Sequence, residues 1–241
     1  MKYIKPVFKI QKVVVLMGLI LASNFSLAAK GGDPIISKVM VDQLEVRDDS
    51  GDTETVLEGQ TWIGKDLKKL WIKVDSEYAD SDEYETELQL LYSKAVAPYW
   101  DLQLGLRSDN GPDESENWAV IGMQGLAPYY FETDVAAFIS EEGDVATRAS
   151  FEYELLFTQK LVLTPEVTLD AFVQDMEESG IGAGLASSNI GLRLRYELVR
   201  EFAPYVGINQ NNLYGKTRDY ARDAGLDSNS TQWVVGVRAW F

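Results

Sequence analysis

The last twelve residues of the sequence, Ser230 to Phe241, read S-T-Q-W-V-V-G-V-R-A-W-F. Side chains of an extended strand alternate between its two faces. One face of this strand is wholly apolar and carries Trp233, Val235, Val237, Ala239 and Phe241. The other face is mixed and includes Arg238. A membrane barrel has a use for such a strand, because pairing it with the first strand leaves no open edge. The stretch therefore predicts a barrel-closing strand whose insertion face is Trp233, Val235, Val237 and Phe241.

The opposite end of the sequence indicates export. Four lysines precede an apolar run from Val13 to Ala22, and the small residues Ser26 and Ala28 stand at the −3 and −1 positions of a cleavage site. This pattern is typical of a secretory signal peptide, and the apolar run is too short for a membrane-spanning helix. We expect a signal peptide over residues 1–28, a short flexible segment over 29–34 and a barrel over 35–241.

The composition excludes several function classes. Removing the four lysines of residues 1–28, which contain no acidic residue, takes the net charge from −16 to −20. Such a charge argues against a nucleic-acid partner. The sequence has no cysteine and no histidine, which removes disulfides, thiolate or imidazole metal sites and the commonest catalytic base. It has 27 aromatic residues (6 Trp, 12 Tyr and 9 Phe), a usage that suits strands.

Between the two ends, apolar and polar residues alternate with period two. Leu88, Leu90 and Tyr92 alternate with Glu87 and Gln89, for example. A helix would need apolar residues at steps of three and four. The alternation predicts an all-β protein of about twelve strands. We place them at 35–47, 54–63, 67–79, 83–95, 98–109, 116–126, 128–140, 145–158, 160–173, 187–199, 201–211 and 230–241. The faces of the first strand and of the sixth are ambiguous.

The connections alternate in length. Three short ones share the tripeptide Ala-Pro-Tyr, at 97–99, 127–129 and 203–205, and we expect their tyrosines in an aromatic girdle. The others are longer, polar linkers, among them 48–53, 174–187 and 214–229. Short turns at one end and long loops at the other are typical of an outer-membrane barrel, with the turns facing the periplasm. A two-sheet sandwich is the alternative, because its strands alternate too. The signal peptide and the last strand favour a closed antiparallel transmembrane β-barrel.

The polar face of these strands would line the lumen. Its predicted acidic residues include Glu85, Glu87, Asp101, Glu132, Asp134, Glu152 and Glu154. Its predicted basic residues are Arg107, Arg148, Arg193, Arg195 and Arg238. One interpretation is a set of ion pairs that fills a narrow barrel. The other is a weak site or path for cations built from oxygen ligands.

Several strings in this chain resemble the copper resistance protein B family, a group of bacterial outer-membrane proteins of copper tolerance. They include Gln60-Thr61-Trp62-Ile63-Gly64, Tyr99-Trp100-Asp101-Leu102-Gln103-Leu104-Gly105-Leu106-Arg107 and Arg200-Glu201-Phe202-Ala203-Pro204-Tyr205-Val206-Gly207. The similarity runs from about residue 36 to the end of the sequence. It implies an outer-membrane barrel, reached through the periplasm, with copper as its metal.

The chain departs from the family in its metal ligands. Members of the family commonly carry a segment rich in methionine and histidine ahead of the barrel, whereas here Met40, Met123 and Met176 are the methionines that follow residue 28. Thioethers are ligands that suit the cuprous ion. The candidate metal ligands are therefore these three methionines and the lumen carboxylates. Scattered methionines also serve as gap-fillers in cores or as lipid-facing residues.

Three functions remain open at this stage. The first is copper resistance or homeostasis, in which the barrel binds or passes copper ions. The second is a small passive channel that favours cations, or a structural barrel, without a specific copper site. The third is a barrel enzyme, which the absence of histidine disfavours, so we expect no enzymatic activity. Expected partners are outer-membrane lipid, the barrel-assembly machinery and a periplasmic copper carrier or oxidase.

Overall fold

The computed structural model describes residues 34–49, 52–79, 84–112 and 115–241. The predicted signal peptide, and all of the N-terminal segment except Pro34, lie outside the described residues. Of the residues described, none forms a helix with the length and apolarity needed to cross a bilayer.

The described chain is built from thirteen β-segments and one α-helix. The segments are β1 (Ile36–Asp49), β2 (Asp52–Lys65), β3 (Lys68–Ala79), β4 (Tyr84–Ala97), β5 (Trp100–Asn110), β6 (Ser115–Ala127), β7 (Phe131–Ser140), β8 (Val145–Glu152), β9 (Leu155–Leu156), β10 (Leu161–Phe172), β11 (Gly184–Tyr196), β12 (Phe202–Leu213) and β13 (Asn229–Trp240). The helix α1 spans Gly215–Asp223. Segments β8 and β9 both pair with β10 and together act as one interrupted strand. The sheet therefore has twelve strand positions.

The sheet closes on itself. Each strand pairs antiparallel with the next strand in sequence, and β13 pairs with β1. At the seam Val39 and Phe241 exchange two backbone hydrogen bonds, with N···O distances of 3.0 and 2.8 Å. The prediction of a closed antiparallel barrel of about twelve strands is confirmed, and the sandwich alternative is excluded. We call the end that holds the β2–β3, β4–β5 and β6–β7 connections the turn end, and the opposite end the loop end.

The two faces of the wall separate as the alternation predicted. Large apolar side chains that point outwards leave much of their surface exposed, for example Leu106 at 65% and Trp233 at 69%. Inward positions hold buried polar side chains such as Gln103 on β5 and Arg193 on β11. A sheet with an apolar outer surface and a polar interior is suited to a bilayer, because hydrocarbon then covers the apolar side chains.

The ambiguity of the first strand has a structural cause. The pairing of β1 shifts register between Val41 and Leu44 against β13, and between Val41 and Gln43 against β2. As a result the consecutive residues Asp42 and Gln43 both border the lumen, and the inward positions change from even to odd numbers. A β-bulge inserts one extra residue in this way. In β6 the inward residues are Trp118 and Val120, which are buried, while Ile121 and Met123 are exposed on the outer face.

Three predicted connections differ from the structure. Ala203-Pro204-Tyr205 is not a turn but lies within β12, and Tyr205 is 5% exposed inside the barrel rather than in an aromatic girdle. Strands β1 and β2 extend into the linker predicted at 48–53, where Asp49 pairs with Asp52. The linker at 214–229 contains α1. The other two Ala-Pro-Tyr segments do form turns, with Tyr99 and Tyr129 at φ of 67° and 68°, and both are exposed.

Candidate functional site: the barrel lumen

The lumen contains a cavity of about 710 Å³. Predicted site residues that line it are Met40, Glu87, Glu132, Asp134, Arg148, Glu152, Arg193, Arg195 and Arg238. Asp101, Arg107 and Glu154 join the same interior through ion pairs with Lys69, Glu87 and Arg195 of other strands. Glu85 is exposed, on the inward face of β4 near the loop end. Sequence alternation therefore assigned most of these side chains to the correct face of the wall.

The most enclosed part of the lumen is a network centred on Glu45. Its carboxylate accepts hydrogen bonds from Arg47 Nε at 2.7 Å, from Arg193 Nε and Nη2 at 2.9 Å, and from the Tyr205 hydroxyl at 2.8 Å. Arg193 also donates to Glu166 at 2.9 Å. The Glu45 side chain is 0% exposed. We refer to Gln43, Glu45, Arg47, Glu166, Arg193 and Tyr205 as the Glu45 network.

Glycine makes room for this network. Gly236 of β13 lies between Glu45 on β1 and Tyr205 on β12 in the pairing register. A Cβ atom at Gly236 would stand 2.6 Å from the Tyr205 ring and 2.7 Å from Glu45 Cβ, closer than atoms pack. The seam of the barrel is therefore held from inside by a tyrosine and a carboxylate that reach across a glycine.

A second network joins Glu87 to two arginines. Glu87 lies 2.9 Å from both Arg107 and Arg148. Each arginine has a further carboxylate at 2.7 Å, Asp109 for Arg107 and Asp170 for Arg148. We call these five residues the Glu87 network. The two guanidinium charges therefore offset two of the three carboxylate charges, and Glu87, which contacts both arginines, is the most fully compensated of the three.

Most of the other predicted lumen charges are also paired. Arg195 contacts Glu154 at 2.6 Å, and Arg238 contacts Glu152 at 3.2 Å. Two lysines pair with predicted acidic residues: Lys73 with Asp134 at 2.6 Å and Lys69 with Asp101 at 3.0 Å. The geometry thus favours the interpretation in which ion pairs fill a narrow bore.

A few inward polar groups are less well satisfied. Glu58 and Asp75 face each other across β2 and β3 and both border the large cavity. Asp75 Oδ1 and Gln60 Oε1 are buried and have no hydrogen-bond partner among the described residues. Within residues 34–49, 52–79, 84–112 and 115–241, no group of three or more acidic side chains is arranged to hold a metal ion. The acceptors are therefore dispersed along the wall.

The lumen also has an apolar side. Trp71, Leu91, Trp118, Val120, Phe138 and Ala146 form what we call the aromatic cluster. Met40 and Met176 both pack against it, whereas Met123 is 42% exposed on the outer face. Met176 borders a second cavity of about 100 Å³, which Trp118 and Phe138 also line. The structure therefore places two of the three candidate thioethers inside the barrel and separates the third from them.

The loop that carries Met176 is held by α1. Met176 and Ile181 exchange backbone hydrogen bonds of 2.7 and 3.0 Å, which closes the loop into a small ring. Lys216 of α1 donates to Asp175 at 2.5 Å, and Thr217 Oγ1 accepts from the amide of Gly182 at 2.9 Å. The amide of Ala183 and the Lys216 ammonium lower the pKa of Asp175, and the Asp175 carboxylate raises the pKa of Lys216.

Sequence reasoning missed the Glu45 network and the aromatic cluster as units. Glu45, Arg47 and Gln43 follow the bulge in β1, so simple alternation could not assign their face. The Ala-Pro-Tyr tripeptide predicts a turn at Tyr205, whereas the residue lies within β12. The signal for the cluster was present, because Trp118 and Val120 share one face of β6. Both faces of that strand are apolar, however, and the pattern alone could not decide which face points inwards.

Comparison with known proteins supports the same fold and adds a family. Residues 35–241 match the family model described as Copper resistance protein B precursor. Copper resistance protein B of Escherichia coli is 40% identical over 203 residues, which cover 84% of this chain and 69% of that protein. The Copper resistance protein B homolog of Pseudomonas syringae pv. tomato is 38% identical over 207 residues, covering 86% and 70% of the two chains.

Among solved structures, two porins resemble the barrel. The KdgM porin aligns with a TM-score of 0.52 at 14% identity, covering 86% of this chain and 99% of the porin. The NanC porin aligns with a TM-score of 0.53 at 13% identity, covering 85% and 99%. At such identities the likeness concerns the fold alone, and a porin-like barrel fits an outer-membrane protein. With the family match extending over almost the whole described barrel, the chain belongs to the copper resistance protein B family.

Proposed function

We propose that this barrel acts in copper tolerance at the outer membrane, and that its lumen passes copper ions while binding them weakly. The observation that carries the proposal is the position of Met40 and Met176. Both thioethers lie against the luminal aromatic cluster, and each borders a cavity. Thioether sulfur is a soft ligand that suits the cuprous ion. A lumen with two separate thioethers offers brief contacts to a soft cation, and a chain without cysteine or histidine offers few stronger ligands.

The pairing of the luminal carboxylates is the reason to expect weak binding. Glu45 and Glu87 each contact two arginines, so their charge is largely compensated. A tight divalent site needs several free oxygen ligands around one point. Glu58 and Asp75, facing each other at the cavity, are the acidic pair best placed to attract a cation transiently.

The alternative function is a passive channel that favours cations without a copper preference. The dispersed acceptors of the lumen favour it, because in the described part of the chain no cluster of three acidic residues forms a metal site. The two functions differ in their dependence on sulfur. A passive channel would behave alike with methionine or leucine at positions 40 and 176.

A competition titration separates the two functions. Purified mature protein in detergent is titrated with cuprous ion against a competing chelator, for wild type and for Met40→Leu, Met176→Leu and Met123→Leu. We expect weak binding that decreases with each of the first two substitutions. Met123→Leu is the matched control, since its side chain lies on the outer face and should leave binding unchanged. Equal binding by all four proteins would overturn the copper proposal and support the passive channel.

Further parts of the proposal concern the setting of the barrel. We infer that it inserts through the barrel-assembly machinery by way of the periplasm and is surrounded by outer-membrane lipid. We also propose that a periplasmic copper carrier or oxidase exchanges copper with it at the turn end. An enzymatic role is not part of the proposal, because a sequence without histidine lacks the usual base.

A further inference from the structure

Three lysines form a row on the outer surface of the barrel at the turn end. Lys65 and Lys68 face each other across the β2–β3 hairpin, and Lys68 faces Lys94 on β4. All three are exposed. The neighbours Lys69 and Ser93 point into the lumen, where both contact Asp101. Because strand side chains alternate, the three lysines point outwards.

The row borders the apolar band of the barrel. One step toward the middle of the wall, the facing residues are Ile63, Leu70, Tyr92 and Leu104. Their exposed fractions are 52%, 45%, 45% and 47%, so these side chains are free to contact lipid. The lysines therefore lie at the level where hydrocarbon gives way to headgroups, and their stems can cover apolar surface while the ammonium groups reach polar surroundings.

Lys68 and Lys94 differ from the lysines inside the barrel in their charge balance. Lys69 and Lys73 in the lumen each contact a carboxylate, at 3.0 and 2.6 Å. Lys68 and Lys94 face each other on β3 and β4, and neither forms an ion pair within the described ranges. Like charges that face each other across strands repel. An anion between them would remove this repulsion.

We propose that the row Lys65–Lys68–Lys94 binds the headgroup of an anionic phospholipid, with its acyl chains on the apolar row beside it. Neighbouring strands lie about 4.8 Å apart, so three lysines span roughly 10 Å, a distance that flexible lysine stems can close around one phosphate. The proposal rests on the proposed outer-membrane location with the turn end at the periplasmic leaflet. It does not depend on copper.

Native mass spectrometry tests this directly. Folded mature protein in detergent is mixed with equal amounts of phosphatidylglycerol and phosphatidylethanolamine that carry the same acyl chains, without copper, and the retained lipid is counted. A lysine near an anionic membrane surface contributes about 1 kcal/mol, which corresponds to roughly fivefold in affinity. We expect wild type to prefer phosphatidylglycerol about 25-fold or more, and Lys68→Gln and Lys94→Gln each to reduce the preference about fivefold.

The matched control is Lys160→Gln. Lys160 is exposed at the same end of the barrel, and its carbonyl accepts a hydrogen bond from the amide of Glu197. Its neighbour on the adjacent chain segment is therefore an acidic residue rather than a lysine. This variant should keep the wild-type preference within about twofold, a change well below the surface contribution of one lysine. Equal retention of the two lipids by wild type, or the same loss with Lys160→Gln as with Lys68→Gln, would overturn the proposal.

A measurement on wild type alone covers the case in which a variant does not fold. Raising the salt concentration from about 0.05 to 0.5 M shortens the screening length and should reduce the preference for phosphatidylglycerol severalfold. A preference that does not change with salt would contradict a site made of lysines. Because no copper is present, failure here is distinguishable from failure of the copper proposal.

Discussion

The Glu45 network and the aromatic cluster fill the same bore by opposite means. In the network, Glu45 is fully buried and receives hydrogen bonds from Arg47, Arg193 and Tyr205. In the cluster, the indole N–H groups of Trp71 and Trp118 are buried and have no hydrogen-bond partner within the described part of the chain. The Glu45 carboxylate is therefore saturated with internal partners. The aromatic cluster is the region that leaves the sulfur atoms of Met40 and Met176 available as ligands.

The aromatic cluster is connected through arginine to the Glu87 network. The guanidinium of Arg107 lies 4.6 Å from the centre of the Phe138 ring and 5.8 Å from that of Trp118, and Arg148 lies 5.9 Å from Phe138. Both arginines belong to the Glu87 network, so cation–π contacts join the ion pairs to the cluster. We expect substitutions in the ion-pair networks and in the aromatic cluster to lower stability alike. In the networks they leave buried charge unpaired, and in the cluster they leave a cavity.

The largest expected effect comes from removing Glu45. Glu45→Ala would leave Arg47 and Arg193 buried with less compensating charge, and breaking a buried ion pair in this way costs about 3–5 kcal/mol. We expect the free energy of unfolding in micelles, measured by denaturant titration, to fall by that amount. Glu85→Ala is the control, because Glu85 is exposed and should change stability little. A small loss with Glu45→Ala would show that lumen water already compensates these charges.

The next effect concerns the aromatic cluster. Phe138 is 1% exposed inside the barrel, whereas the adjacent Ile139 is 50% exposed on the lipid face. Phe138→Ala should reduce the free energy of unfolding by about 3 kcal/mol, because it leaves a cavity. Ile139→Ala should cost much less, since lipid or detergent can fill the space. Equal losses in the same denaturant titration would mean that the cluster packs no better than the outer surface.

These contrasts also explain how far the sequence could predict the structure. Alternation identified the strands, the closing role of β13 and the face of residues such as Glu87 and Arg193. It could do so because one face of each strand meets lipid and must be apolar. It failed at Asp42 and Gln43, where a bulge changes the inward parity. It also failed at α1, whose nine residues, GKTRDYARD, offer no apolar stripe and pack on a loop distant in sequence.

The Ala-Pro-Tyr repeats show the limit of local similarity. The same tripeptide forms turns at 97–99 and 127–129, but at 203–205 it lies near the start of β12, where Pro204 faces Val237. Proline is tolerated near the start of a strand, so the tripeptide alone does not fix the conformation. The contacts that distinguish Tyr205 are long-range ones, such as its hydrogen bond to Glu45, 160 residues earlier in the chain. Such contacts cannot be derived from local periodicity.

A smaller effect is expected at Trp118. Its indole N–H is buried without a partner among the described residues, so Trp118→Phe removes a polar group that contributes no hydrogen bond. The gain from removing an unsatisfied donor offsets part of the lost contact area, and we expect a stability change below about 1 kcal/mol. Denaturant unfolding of Trp118→Phe measures the removal of the donor together with a small loss of contact area. Trp118→Ala measures the effect of losing most of the contact area as well. A large loss with phenylalanine would indicate that the indole has a partner, such as ordered water.

The smallest effect lies outside the wall, at the contact between α1 and the Met176 loop. The pKa of Asp175 is lowered by the Ala183 amide and by Lys216, so this stabilisation is fully present above the ordinary aspartate pKa of about 3.9 and is lost as pH falls through the lowered value. The pKa of Lys216 is raised, so its share is present below the ordinary lysine pKa of about 10.4 and is lost as pH rises through the raised value. The loop should therefore stay attached across the neutral range and loosen at either extreme.

The amide of Ala183 reports this contact, because it donates to Asp175 at 2.8 Å. In an NMR titration of the barrel in micelles, its resonance should move at acidic pH, and Lys216→Gln should shift that transition to higher pH, toward the ordinary aspartate value. The amide of Gly182 is the internal control, since it donates to the hydroxyl of Thr217, which does not titrate. An Ala183 resonance that stays constant below pH 4, or an unchanged transition in Lys216→Gln, would mean that the Thr217 contact alone holds the loop. Met176 would then keep its place beside the aromatic cluster in acid, and the apolar side of the lumen would be as insensitive to pH as its packing suggests.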